Sequence, residues 1–95
     1  MQFARDLRGG VLSGDITMSV RLWKRPQVRV GGRYRVGPGV VEVDSIELLP
    51  FGALPAGDVA ACGEADREAL RRRAAHAGPI DDDTPVYRVG FHLVD

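Results

Sequence analysis

Residues 14–26 read Gly-Asp-Ile-Thr-Met-Ser-Val-Arg-Leu-Trp-Lys-Arg-Pro, and apolar and polar side chains alternate through them. Successive side chains of a β-strand point to opposite faces, so this alternation predicts a strand over Ile16–Trp23. One face is apolar and is expected in the core: Ile16, Met18, Val20 and Leu22. The other face is polar and basic, with two further cations directly after it: Thr17, Ser19, Arg21, Trp23, Lys24 and Arg25. This second face predicts the floor of a binding groove.

The length and composition predict one ordinary soluble globular domain over residues 1–95. The sequence contains no apolar run of the roughly 20 residues that a membrane span needs, and it shows no signal-peptide core near Met1. We therefore expect a cytoplasmic protein without a membrane partner. The single cysteine, Cys62, cannot form an internal disulfide, and His76 and His92 do not give it the spacing of a zinc site. We therefore expect neither a metal nor a cofactor.

The formal net charge of zero hides a strong segregation of charge along the chain. Residues 16–41 contain six basic side chains and no acidic one, whereas residues 42–95 contain eleven acidic against five basic. If the fold keeps these segments on separate surfaces, one face attracts phosphate. If it interleaves them as paired strands, they neutralise each other, and Arg21 then pairs with Glu42 or Glu47.

The rest of the chain predicts a small α+β fold. Phe3, Leu7 and Val11 recur every four residues and predict an amphipathic helix over Gln2–Leu12. The glycines and proline of Gly37-Pro38-Gly39 favour a tight turn, which predicts a hairpin between strands over Arg33–Val36 and Val40–Leu49. A last strand is predicted over Pro85–Val94, with His92 on its solvent side. Few helices between strands and tight glycine turns are typical of a mostly antiparallel β-barrel.

Two helical segments are predicted before the last strand. Residues 58–63 fit a single turn closed by Gly63, and Asp66 is a plausible N-cap for a helix of about ten residues. Three consecutive arginines near the end of that helix, Arg71–Arg73, suit the helix dipole and are expected on a solvated face.

The ordered series of these features resembles the ASCH domain of the PUA-like superfamily, and in particular the small actinobacterial-type ASCH proteins. The resemblance rests on Ser13-Gly14-Asp15, the strand that runs into Trp23-Lys24-Arg25-Pro26, residues 30–37 (Val-Gly-Gly-Arg-Tyr-Arg-Val-Gly) and Val86-Tyr87-Arg88-Val89. It implies a PUA-like barrel with a cleft between the first strand and the helical insert. It also implies binding of RNA or a modified nucleoside.

Some ASCH proteins are amidohydrolases that deacylate N4-acetylcytidine with a lysine, a threonine and a glutamate. The resemblance puts these positions on Ile16, Ser19 and on or near Cys62, where Glu64 is the neighbouring carboxylate. An amide hydrolase needs an activated nucleophile or water with a proton acceptor in reach. Only Ser19 keeps a hydroxyl, which makes it a weak catalytic candidate and enzymatic activity uncertain.

The leading interpretation is therefore a binding domain for RNA or a nucleoside. Hydroxyls of Thr17 and Ser19 can bond to a sugar or base edge, Arg21 can pair with phosphate, and Trp23 can stack on a base. Lys24 and Arg25 would add salt-dependent phosphate attraction. Two alternatives stay open: a small hydrolase or nuclease of altered mechanism, and an interaction domain that forms a homodimer, with Trp23 then serving only to pack.

Overall fold

A computed structural model of the chain describes residues 1–94; Asp95, counted above with the acidic segment, lies outside the described residues. Three α-helices and four strands follow one another along the chain. In order they are α1 (Arg5–Ser13), β1 (Met18–Arg21), β2 (Arg33–Val36), β3 (Gly39–Pro50), α2 (Ala56–Ala61), α3 (Arg67–Ala74) and β4 (Pro85–Leu93). Two single 3₁₀ turns, Phe51–Ala53 and Ala75–Ala77, follow β3 and α3. Within the described chain, no helix is long and apolar enough to cross a membrane.

The four strands form one antiparallel sheet in the order β1-β4-β3-β2. This confirms the α+β class, the hairpin of β2 with β3, and the helical insert before the last strand. β1 and β2 are the outer strands, and residues 1–94 do not close the sheet into a barrel. Barrel closure therefore stays a prediction.

β1 is shorter than the predicted strand over Ile16–Trp23. The amide of Ile16 donates to the carbonyl of Gly10 in α1 (3.0 Å), and that of Thr17 donates to Ala61 in α2 (3.0 Å). Those helices take the hydrogen bonds that a longer strand would have used. Leu22 and Trp23 leave the sheet at the other end, four and three residues before Pro26.

The core consists of two clusters on opposite faces of the sheet. One lies under α2 and α3 and includes Val20, Phe51 and Val86, whereas the other lies under α1 and includes Leu7, Ile16 and Phe91. The sequence predicted Ile16 on the same face as Val20, and this is wrong because Ile16 precedes the strand. Ser19, on the face predicted to be polar, is itself buried.

Ile16 fits only because two glycines surround it. A Cβ built on Gly10 of α1 would lie 2.6 Å from the Cδ1 atom of Ile16, and one built on Gly63 would lie 2.5 Å from the same atom. Gly63 also has a φ of +80°, the left-handed conformation that often ends helices. The glycine within α1 therefore makes room for the residue that joins α1 to β1.

The N-terminus of α3 is capped as predicted, because the side chain of Asp66 accepts a hydrogen bond from the amide of Ala69 (2.8 Å). The prediction of a solvated arginine face is wrong for two of the three arginines. Arg71 donates to Asp82 (2.7 Å) and lies 4.6 Å from the centre of the Phe51 ring. Arg73 binds two carboxylates that belong to the candidate site described next.

Candidate binding cleft

A cleft opens between the N-terminal segment and the end of α3, with the end of β1 as its floor. Its inner pocket has a volume of about 280 Å³ and is lined by Phe3, Leu7, Ser19, Arg21, Arg73 and His76, among others. An outer groove continues from it along residues 21–25, sharing Arg21 and His76 with the inner pocket. We call the inner pocket and the outer groove together the Arg21 cleft.

Arg21 lies at the junction of the pocket and the groove. Its Nε donates to Ser19 Oγ (2.6 Å) and its Nη2 donates to the carbonyl of Gln2 (2.6 Å). The guanidinium carbon lies 5.1 Å from the centre of the Phe3 ring and 5.8 Å from that of Trp23. These contacts fix the guanidinium in one orientation while leaving its positive charge unpaired.

No carboxylate within residues 1–94 forms an ion pair with Arg21. The alternative pairing of Arg21 with Glu42 or Glu47 is wrong, because Glu42 pairs with Arg33 (3.0 Å) and Glu47 with Arg88 (3.7 Å). Burial lowers the pKa of Arg21. A positive charge withdrawn from water without a counter-ion favours a bound anion.

Trp23 and the two cations after it line the outer groove, and their role in binding stays a prediction. The Trp23 ring is half-buried and lies 6.1 Å from the Tyr87 ring at a tilt of 40°. Lys24 and Arg25 are exposed. Thr17 is exposed as well, but it is not among the residues that line the cleft, so the structure separates it from Ser19, Arg21 and Trp23.

Arg73 ties α1 to α3 at the inner end of the cleft. It donates to both oxygens of Asp6 (3.2 and 2.8 Å) and to Glu64, whose side chain is only 6% exposed. Hydrogen bonds to Glu64 and Asp6 raise the pKa of Arg73, and the bond from Arg73 lowers the pKa of Asp6. Sequence reasoning missed this network, since Asp6 and Arg73 are 67 residues apart and no local pattern links them.

Most of the basic segment stays free of ion pairs, which argues against mutual neutralisation by paired strands. Of its six cations, Arg33 alone forms an ion pair within the described range 1–94. The others are Arg21, Lys24, Arg25, Arg29 and Arg35. Three of these cations, Arg21, Lys24 and Arg25, line the outer groove.

Two solved structures share this architecture. The crystal structure of an ASCH domain from Lactobacillus crispatus superposes with a TM-score of 0.72 and 17% identity, covering 93% of this chain and 70% of that one. The chain has an ASCH-like fold. A DUF984 protein from Enterococcus faecalis superposes with a TM-score of 0.71 and 16% identity, covering 95% of this chain and 71% of that one. No family model and no curated protein matches the sequence.

In this ASCH-like chain, the positions that the resemblance assigned to hydrolysis do not form an acid–base set. Ile16 is buried under α1, and burial raises the pKa of the Cys62 thiol to about 12, with Asp58 and Glu64 adding to the effect. Ser19 Oγ accepts a hydrogen bond from Arg21, and a guanidinium cannot take up a proton. Within residues 1–94 Ser19 thus has no hydrogen-bonded general base.

Cys62 gives the ASCH-like chain a specific alkaline sensitivity. Because its folded pKa is raised, the folded state keeps a proton that the unfolded state releases above pH 9.0, so stability falls between pH 9.0 and about 12. Between pH 8 and about 10.5, we expect the free energy of unfolding to fall by about 2 kcal/mol more in the wild-type protein than in Cys62→Ala. Urea unfolding of the two proteins at both pH values measures this difference. Tyrosines and lysines titrate alike in the two proteins, so they contribute equally to the loss of stability. An equal loss in the two proteins would therefore contradict the role of Cys62.

One group of potential metal ligands occurs within the described part of the chain, on the β3–β4 pair. Ligand atoms of Glu42, Asp44 and His92 lie within 4.8 Å of one another. All three are at least partly exposed, and both carboxylates already have protein partners: Glu42 contacts Arg33, and Asp44 contacts His92 Nδ1 (2.7 Å). His92 is therefore exposed as predicted, but it has an acidic partner that the sequence did not indicate. None of the three lines the Arg21 cleft.

Proposed function

We propose that this chain binds single-stranded RNA or a modified nucleoside in the Arg21 cleft. The observation that carries the proposal is Arg21, a half-buried, oriented guanidinium without a carboxylate partner among residues 1–94. Charge-assisted hydrogen bonds from an oriented arginine are strong, and phosphate is an anion that arginine recognises well. The ASCH-like fold supports the same class of ligand.

The aromatic and basic groups of the outer groove suit a single strand. A base that stacks on Trp23 would gain on the order of 1–3 kcal/mol, and stacking needs unpaired bases. Exposed Lys24 and Arg25 would add attraction to the backbone that weakens with salt. The zero net charge of the chain argues against general polyanion binding and leaves this local site as the source of affinity.

Trp23 is the only tryptophan, so its fluorescence reports on the cleft directly. We expect saturable quenching by short single-stranded RNAs or by a member of a modified-nucleoside panel that includes N4-acetylcytidine. Arg21→Ala should weaken that binding about tenfold to hundredfold, the effect of removing charge-assisted hydrogen bonds.

Arg72→Ala is the matched control, because Arg72 is exposed on α3, lines neither part of the cleft and carries the same charge. It should leave the affinity unchanged within about twofold. A flat fluorescence response to every ligand would overturn the proposal. Sedimentation at low and high salt would then test one of the two alternatives, a homodimer that uses the segregated charge.

A further inference from the structure

The inner pocket of the Arg21 cleft narrows at the end that lies away from the outer groove. Beyond Ser19 the free space shrinks to a void of about 20 Å³ lined by Met18, Cys62 and Glu64, among others. Such a void holds one water molecule at most. Arg73 crosses the same end, because its bonds to Asp6 and Glu64 join α1 to the segment before α3. The inner pocket therefore offers little space beyond Ser19 for a strand that enters along the outer groove.

The size of the inner pocket sets how much of a strand can enter. Its volume of about 280 Å³ is at the lower limit of pockets that bind small molecules. It therefore suits part or all of one nucleotide, while further nucleotides would remain in the open groove beside Trp23. A terminal nucleotide or a mononucleotide suits this space, because no further nucleotide has to be accommodated beyond it.

Arg21, where the inner pocket meets the outer groove, favours an anion. Arg73 is already bound by two carboxylates, whereas the Nη1 group of Arg21 has no acceptor within residues 1–94. The hydroxyl of Ser19 and the ring of His76 line the same pocket. A terminal phosphate carries about −1.5 to −2 charges at pH 7, more than the single charge of a phosphodiester, so it gains more from an unpaired guanidinium.

We propose that the inner pocket takes the phosphorylated end of a strand or a mononucleotide, with the phosphate on Arg21 and the adjacent base toward Trp23. This inference rests on the proposed function and specifies its ligand. A phosphomonoester can come from a 5′-phosphorylated end, a 3′-phosphorylated end or a free nucleotide. The same Arg21 contact serves all three.

The test compares ligands on the unmodified protein. Trp23 fluorescence is titrated with one five-residue RNA in three forms, carrying a 5′-phosphate, a 3′-phosphate or no terminal phosphate, and with uridine, its 5′- and 3′-monophosphates and inorganic phosphate. We expect at least one phosphorylated end to bind about tenfold or more tightly than the unphosphorylated RNA. The preferred end identifies the source of the phosphomonoester.

Arg21→Gln is the matching variant, since glutamine removes the charge and retains hydrogen-bond donors. It should abolish the preference for phosphorylated ends, and Arg72→Gln should retain it. Thermal unfolding confirms that each variant is folded, because Arg21 also binds the Gln2 carbonyl. If Arg21→Gln does not fold, the inference is tested by the unmodified protein alone, through its preference for phosphorylated over unphosphorylated RNA.

The outcomes separate this inference from the proposed function. Equal affinity for phosphorylated and unphosphorylated RNA would overturn the inference and leave the proposed function standing. Binding of a mononucleotide or of inorganic phosphate without RNA or nucleoside binding would support the anion pocket and overturn the proposed function. Absence of binding by every ligand would overturn both.

Discussion

Replacing Phe51 with alanine is expected to lower the free energy of unfolding by about 3–5 kcal/mol. Phe51 is completely buried in the 3₁₀ turn between β3 and α2, at the centre of the cluster under α2 and α3. The substitution leaves a cavity and also removes the ring that lies beneath the guanidinium of Arg71. Small domains have about 5–15 kcal/mol of stability, so this one change removes a large part of it.

Urea unfolding at neutral pH measures the effect as a lower midpoint with an unchanged dependence on denaturant. Leu48→Ala is the control, because Leu48 is a large apolar residue that is 56% exposed. It should change the free energy of unfolding by no more than about 0.5 kcal/mol. A loss below about 1 kcal/mol for Phe51→Ala would show that Phe51 does not organise this core.

Replacing Glu64 with alanine is expected to cost about 2–3 kcal/mol of stability. Removing one partner of a buried ion pair costs about 3–5 kcal/mol, because the other charge is left without compensation. The value here is lower, since Arg73 is one-third exposed and keeps its bonds to Asp6. The substitution also weakens the link between α1 and α3 that Arg73 makes at the inner end of the cleft.

Glu68→Ala provides a matched control with the same substitution on the same helical insert. Glu68 is 64% exposed and pairs with Arg71 across a single helical turn, so its loss should cost no more than about 0.5 kcal/mol. A double-mutant cycle of Glu64→Ala with Arg73→Ala isolates the pair itself. A coupling energy near zero would contradict the role assigned to this ion pair.

Local patterns predicted most of the fold. The β2–β3 hairpin follows from glycine and proline between two β-rich runs, and α3 begins at Asp66 because a short polar side chain there can accept an amide bond. Both depend on residues close in sequence. The alternation that predicted β1 identified the right strand and overestimated its length, because the competing bonds come from α1 and α2.

The candidate site was only half predictable for the same reason. A period of two groups Ser19, Arg21 and Trp23 along β1 and the start of the loop after it, and Lys24 and Arg25 follow directly. The ion-pair network at the inner end of the cleft depends on Asp6, Glu64 and Arg73 from three separate segments. The helix dipole is a sufficient local reason for a run of arginines at a helix end. The sequence therefore offered no reason to expect the long-range contact of Arg73 with Asp6.

The close packing of Ile16 against two glycines has an evolutionary consequence. One small volume is shared by positions 10, 16 and 63, which belong to three different elements of the fold. The positive φ at Gly63 favours glycine there whatever the size of the neighbouring side chain. Only positions 10 and 16 can therefore change in size together. A larger residue at 10 is tolerable only after a smaller one has been fixed at 16, which makes the order of substitutions in this lineage matter.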